Sequence, residues 1–230
     1  MKSNKIAVLL VILILVLLPV GASAFSLDLV GNVAVTSFDA LVKAMPDRVG
    51  FDNGRGGWAI YGLDGKERIV FSRDFGSTNP DIALVFDADP FLKAGLDVTK
   101  LPAGQYHYDK TTREITMPFE YGANKFRATA KKSAVNTMKE IVRTHREIII
   151  YHEQGDHYGI ALDDGNMYAW AKNLSVNPKD VVFALNPKPL LDAGVDTGRI
   201  KDWVFGKIEV MDKDGRAIWM EKFLKGFNIK

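Results

Sequence analysis

"DIALVFDADPFLKAGLDVTKL" occupies residues 81–101, and "DVVFALNPKPLLDAGVDTGRI" occupies residues 180–200. We call these segments the first corner and the second corner. Aligned at a spacing of 99 residues, six positions are identical and eight are apolar in both segments, and the identities include Gly95 with Gly194 and Asp97 with Asp196. A repeated segment of this length predicts a structural unit that occurs twice in the chain.

The match extends beyond the corners in both directions. At a spacing of 100, Phe51 aligns with Tyr151 and Asp64-Gly65 aligns with Asp164-Gly165. The changes in spacing fall in predicted turns, where insertions and deletions are tolerated. The sequence therefore predicts two tandem domains of about 100 residues, within the usual domain range, at residues 25–128 and 129–230.

The fold class predicted for both domains is α+β. The sequence of each favours a helix, three strands, the corner and a closing hairpin, with the first helices starting at Ser37 and spanning 131–145. We expect each domain to be an antiparallel sheet of about five or six strands with two helices on one face. The alternative is one continuous sheet that both copies share around a pseudo-twofold axis.

Each corner is predicted to be a buried strand followed by a short helix. Asp87 and Asn186 are typical N-cap residues, and Gly95 and Gly194 stand where a helix ends in a residue with positive φ. Leu92 and Leu191 are expected to be buried against the sheet. On the alternative reading, as a shared ligand loop, Asp97 and Asp196 become candidate binding residues, although each could simply cap the next turn.

The N-terminus predicts a secretory signal peptide over residues 1–24. Lys2 and Lys5 precede an apolar run at residues 6–18, and Ala22-Ser23-Ala24 provides the small residues of a cleavage site. The run is shorter than the roughly 20 residues that a spanning helix needs, which favours cleavage over a retained anchor. We therefore expect a secreted, periplasmic or cell-surface protein with no stable membrane span after cleavage.

Charge and cysteine content narrow the function classes. Without the two leader lysines the chain carries 28 basic and 28 acidic side chains. A nucleic-acid-binding domain normally has a basic excess, so we expect no nucleic-acid partner. The chain has no cysteine, which excludes thiol nucleophiles and thiolate metal sites.

Motifs for chemistry are few. The sequence has no nucleophile elbow, phosphate-binding loop or zinc-protease motif, so the catalytic residues, if any, are unknown and we predict no cofactor. One histidine cluster, His152 and His157, flanks a predicted hairpin loop with Glu153 and Asp156 nearby. Two imidazoles fall short of a closed coordination shell, so these histidines form a weak candidate metal site.

Two tryptophans, Trp203 and Trp219, have no aromatic counterpart in the other copy and are candidates for an exposed binding surface. The function predicted is an exported, non-enzymatic binding or protein-interaction module whose ligand or partner lies outside the cytoplasm. The alternative is a hydrolase or metal-dependent enzyme whose site is assembled from dispersed Asp, Glu and His residues.

The exported form is expected to begin at Phe25. The Ala22-Ser23-Ala24 site follows an apolar run too short to span a bilayer, so signal peptidase should cleave there. N-terminal sequencing of protein recovered outside the cytoplasm checks this. Recovery of the intact Met1 end in the membrane fraction would show that the segment is an anchor.

Overall fold

The computed structural model describes residues 33–72, 81–119, 149–152, 156–162, 165–174, 179–211 and 217–229. The predicted signal peptide, the boundary predicted at residue 128 and the helix predicted at 131–145 lie outside these ranges. Everything below concerns the described residues.

The first sheet is antiparallel and six-stranded, in the order β1-β2-β3-β4-β6-β5. Helix α1 covers residues 33–44, starting earlier than predicted, and a 3-10 turn at Pro46–Arg48 leads into the sheet. The remaining elements are β1 Val49–Asp52, β2 Gly57–Tyr61, β3 Arg68–Ser72, β4 Ile82–Asp87, helix α2 Asp89–Lys93, a 3-10 turn Val98–Lys100, β5 His107–Asp109 and β6 Glu114–Phe119.

The second sheet has the same topology. Read from β7, its order is β7-β8-β9-β10-β12-β11, which matches the first sheet strand for strand. Its elements are β7 Ile149–His152, β8 His157–Ala161, β9 Met167–Ala171, β10 Val181–Leu185, helix α3 Pro187–Asp192, β11 Val204–Met211 and β12 Ala217–Phe227.

The described chain is thus mostly β, with two six-stranded antiparallel sheets and three helices. The predicted strands are present in the described residues, and a turn at residues 53–56 joins β1 to β2. The described strands form two separate sheets, so the alternative of one continuous sheet is wrong.

The β2–β3 and β8–β9 hairpins correspond closely. The Gly62 N–H donates to the Glu67 carbonyl at 2.6 Å, and the Leu162 N–H donates to the Asn166 carbonyl at 2.9 Å. The second turn is one residue shorter, which accounts for the change of spacing in the sequence. Glu67 and Asn166 therefore occupy matching positions, each just before the third strand of its sheet.

One hydrophobic core serves both sheets. Most buried apolar side chains of the two sheets form a single contiguous cluster, and a second, smaller cluster on the first sheet consists of Ala59, Val70, Ala83 and Val85. Helix α1 contributes Phe38, whose ring centroid lies 5.8 Å from that of Phe71 in the first sheet and 5.5 Å from that of Trp170 in the second. The Trp170 Nε1–H donates to the Ser37 hydroxyl at 2.8 Å, so the same helix also binds the second sheet through a hydrogen bond.

The corners are capped largely as predicted. Asn186 accepts a hydrogen bond from the Lys188 N–H at 3.2 Å at the start of α3. Asp87 accepts the matching bond from the Asp89 N–H at 3.0 Å, although α2 begins one residue later than expected. Gly95 and Gly194 have φ of +104° and +101°, which confirms the left-handed conformation predicted for both.

The expectation that Leu92 and Leu191 are buried is wrong. Both are only partly buried, whereas the preceding residues, Phe91 and Leu190, are almost fully buried. In each short helix the side chain of the preceding residue points into the core. The ring centroid of Phe91 lies 5.5 Å from that of Phe223. Leu92 and Leu191 still pack against the core, at its edge.

The two corners meet each other directly. The Asp97 N–H donates to the Ala193 carbonyl at 2.8 Å, and the Asp196 N–H donates to the Ala94 carbonyl at the same distance. A Cβ atom on Gly95 would lie 2.9 Å from the Gly194 carbonyl oxygen, and one on Gly194 would lie 3.0 Å from the Gly95 carbonyl oxygen. Each corner therefore supplies half of a two-way backbone contact, which only glycine permits.

Replacing Gly95 by Ala should destabilise the protein more than replacing Gly104 by Ala. Both glycines have positive φ, which costs an L-residue roughly 1–2 kcal/mol. Gly104 faces open space, whereas Gly95 abuts the Gly194 backbone. We expect Gly95→Ala to cost on the order of 3–5 kcal/mol, measured as the free energy of unfolding in urea. Equal losses for the two variants would contradict a close backbone contact.

Candidate functional site

A cavity opens between the first corner and the segment that follows the second corner. Its volume is about 640 Å³. One wall comes from Lys66, Asp87 and the α2 residues Asp89, Pro90 and Lys93; the other comes from residues 198–202. Side chains from both halves of the chain thus face each other across it, and most of them are charged.

Two carboxylates of this cavity are held in ion pairs. Lys66 Nζ lies 2.6 Å from Asp87 Oδ2, and this hydrogen bond raises the pKa of Lys66. The Arg113 guanidinium binds Asp89, which raises the pKa of Arg113. The negative charges of Asp87 and Asp89 are therefore balanced by neighbouring cations, and the two carboxylates are poorly placed to act as a general acid and base.

The other charges of the cavity are less constrained. Lys93, Lys201 and Asp202 are exposed and have no ion pair within the described residues. Arg199 donates one hydrogen bond from Nη2 to the Lys93 carbonyl at 3.0 Å, which ties the two walls together. The open charges on the walls are consequently three cations and one anion.

A buried ionic cluster lies next to the cavity. Lys225 Nζ, on β12, lies 2.8 Å from Glu67 Oε2 and 3.0 Å from Asp64 Oδ2, so the contact joins the two sheets. Glu67 is fully buried, and burial raises its pKa to about 7 despite the neighbouring ammonium. At the matching positions the neutral Asn166 donates to the Met117 sulfur at 3.4 Å, and the buried Lys222 ammonium donates to the carbonyl of the neighbouring Gly165.

The second sheet carries an extended hairpin that we call the β11–β12 ribbon. β12 pairs with β10 only over residues 223–227, so residues 217–222 pair with β11 alone. Among the described residues, the large hydrophobic side chains that are exposed are Leu63 and four members of this ribbon, namely Val204 (66%), Ile218 (39%), Trp219 (61%) and Met220 (37%). The ribbon is thus the most apolar part of the described surface.

Exposed apolar side chains lie on both faces of the ribbon, and the exposed Lys207–Glu221 pair lies on the same face as Trp219. Side chains alternate along a strand, so Ile218 and Met220 lie on one face and Trp219 lies on the other. The base is anchored in the core, because the rings of Phe205 and Phe223 are 5.2 Å apart and Phe223 is fully buried.

The structure separates the two candidate tryptophans. Trp219 is exposed, but Trp203 is buried with its ring 6.1 Å from that of Phe86 and 5.5 Å from that of Phe91. The expected surface position of Trp203 is therefore wrong, because this side chain fills the core beneath the first corner. Trp203 has no aromatic counterpart in the first half, so the shared core is asymmetric at this position.

Asp97 and Asp196 cap the turns that follow the corners. Asp97 accepts hydrogen bonds from the Thr99 hydroxyl and from the Thr99 N–H at 3.1 Å, and these bonds lower its pKa. Asp196 accepts from the Gly198 N–H at 2.9 Å. Capping accounts for both side chains, and their role in ligand binding stays a prediction.

The histidine cluster has the predicted hairpin geometry. His152 and His157 are directly opposite across β7 and β8. The His157 Nε2–H donates to the Lys179 carbonyl at 2.6 Å, so that nitrogen is already engaged. The side chains of His152 and Glu153 lie outside the described part of the chain. Within that part no group of three or more His, Asp or Glu residues could hold a metal ion.

Sequence reasoning missed the cavity. The sequence singles out neither a pair of carboxylates at Asp87 and Asp89 nor the cationic wall formed by residues 198–202. A usable signal was present in the corner alignment, since Lys93 aligns with Asp192 and Lys201 aligns with Pro102, whereas Arg199 aligns with Lys100.

Comparison of the chain with family models, with curated proteins and with solved structures found no match. In the described residues, every helix is too short or too polar to cross a membrane. The cavity and the ribbon are therefore the two features from which a function is inferred.

Glu67 should make the protein less stable as pH rises from about 4.5 to about 7. The folded state keeps a proton on Glu67 up to a pKa of about 7, whereas the unfolded chain loses it near 4.5. The folded state thus binds the extra proton, and the free energy of unfolding falls with pH across this window, by up to about 1.4 kcal/mol per pH unit.

Urea unfolding at several pH values checks this prediction. Glu67→Gln should flatten the dependence between pH 4.5 and 7. Glu114→Gln is the matched control: hydrogen bonds from Arg68 outweigh burial and lower the Glu114 pKa, so the control should keep the slope. An unchanged slope in Glu67→Gln would show that another group titrates.

Proposed function

We propose that the chain is an exported, non-enzymatic protein-interaction module that binds a partner protein through the β11–β12 ribbon. The observation that carries this proposal is the concentration of exposed apolar side chains on one hairpin. A concentration of exposed apolar side chains on one element is typical of interaction sites in folded proteins. Trp219 is the natural anchor, because tryptophan is enriched among the residues that dominate binding energy.

The module is built, on this proposal, from a duplicated unit of about 100 residues with limits at 25–128 and 129–230. The matching strand order of the two sheets supports duplication, and so does the reciprocal contact of the two corners. The proposed signal peptide at residues 1–24 places the partner outside the cytoplasm.

The ribbon differs from its counterpart in the first half. β5 has three residues and β6 has six, whereas β11 has eight and β12 has eleven. His107 and Asp109 on β5 are polar and exposed, whereas the exposed side chains of β12 include Ile218, Trp219 and Met220. Since the shorter, polar hairpin completes the first sheet, the extension is not needed for folding and is available for binding.

The ribbon fits an apolar cleft in a different protein. Successive side chains of a strand point to opposite faces, and residues 217–222 pair with β11 alone, so a cleft can contact both faces at once. A second copy packed against Ile218 and Met220 would leave Trp219 uncovered. An anionic membrane surface attracts a basic excess, but the proposed mature chain has 28 basic and 28 acidic side chains.

The enzyme alternative has weaker support. It needs dispersed Asp, Glu and His groups that converge on a cavity with at least one free to exchange protons. Asp87 and Asp89 do converge on the cavity, but both are held in ion pairs with Lys66 and Arg113.

A photo-cross-linking residue in place of Trp219 should capture one defined partner protein in the cells that export this chain. The same residue in place of Lys43, which is exposed on α1, is the control. The captured protein is then purified and titrated against the parent chain. Trp219→Ser should weaken that binding by about 2–4 kcal/mol, as for a hot-spot residue.

Trp219→Ser should leave the free energy of unfolding within about 0.5 kcal/mol of the parent, because the side chain is exposed. Adducts only with a second copy, adducts only with lipid, or no adduct at position 219 would each overturn the proposal. Equal binding of the captured protein to parent and variant would do the same.

A further inference from the structure

We propose that the cavity between the first corner and residues 198–202 binds a small organic dianion, with Lys93 and Lys201 as its principal contacts. This site is separate from the ribbon and does not depend on the function proposed for it. The shared chemistry is two negative charges on a small molecule, which either a phosphate monoester or a dicarboxylate provides.

The charge balance of the walls favours an anion. Within each of the pairs Lys66–Asp87 and Arg113–Asp89 the two charges cancel, so the pairs add no net charge to the walls. The charges that remain are Lys93, Arg199 and Lys201 against Asp202. These remaining charges have a positive sum, and a net positive charge attracts ligands of the opposite sign.

The fold does not require these charges. The positions that match Lys93, Lys201 and Asp202 in the other half are Asp192, Pro102 and Ala103. One charge is reversed and two are absent, yet the other corner has the same backbone and the same positive-φ glycine. A structural requirement common to the two corners therefore cannot explain Lys93 and Lys201, whereas a ligand at one corner can.

The cavity walls are held in place before any ligand arrives. The Arg199 guanidinium donates to the Lys93 carbonyl, and the reciprocal corner bonds lie a few residues away on each wall. Preorganised walls lower the cost of ordering on binding. The Arg199 nitrogens that do not contact the Lys93 carbonyl remain free to donate to an anion.

The size and polarity of the cavity set the expected binding behaviour. A volume of about 640 Å³ lies within the usual range for small-molecule sites. The walls are polar and open to water, so attraction between charges must supply most of the affinity. Such binding weakens as salt screens the charges.

The test titrates the mature protein by calorimetry with glucose 6-phosphate and, separately, with succinate. We expect saturable binding of one probe, weakening as salt is raised; the stronger probe distinguishes a phosphate from a dicarboxylate ligand. Replacing Lys93 and Lys201 together by Ala should weaken binding about tenfold or more, since two charge-assisted contacts are lost. Both side chains are exposed, so the variant should fold normally.

Replacing Lys43 and Lys207 together by Ala is the matched control. Both are exposed lysines away from the cavity, on α1 and β11, and the control removes the same net charge. It should bind the probe as the parent does. Absence of saturable binding of both probes, or equal weakening in the two double variants, would refute the cavity as a dianion site.

Discussion

A pair of backbone hydrogen bonds between the two corners is the constraint on which the rest of this structure depends. Asp97 donates to Ala193 and Asp196 donates to Ala94, each at 2.8 Å. Residues without a Cβ are needed where the two corners meet, and the positive φ of Gly95 and Gly194 also favours glycine. With the corners locked, Phe91 and Trp203 pack across the junction, and the two sheets enclose one core.

The differences between the halves are as informative as the similarities. One junction buries Glu67 against Lys225, and the matching one has Asn166 against Met117. One hairpin ends in exposed apolar side chains, and its counterpart is short and polar. Because the shared topology is satisfied without these additions, the ribbon and the cavity are the natural places to look for binding.

Local features were predictable from the sequence, and contacts between the halves were not. Alternating apolar residues and Asp-Gly turns located every described strand, and the corner alignment predicted positive φ at Gly95 and Gly194. Those signals act within a few residues. Burial of Trp203, the cavity wall at residues 198–202 and the Glu67–Lys225 contact depend on how two sheets dock, which periodicity along one chain does not encode.

Native-state hydrogen exchange at the Asp97 and Asp196 amides tests the central claim most directly. If the corners lock the halves into one cooperative body, both amides exchange only through global unfolding, with the same free energy as urea unfolding of the whole chain. Exchange of either amide at a distinctly lower free energy, together with its own sheet, would show that the halves open independently and that the reciprocal contact does not hold them.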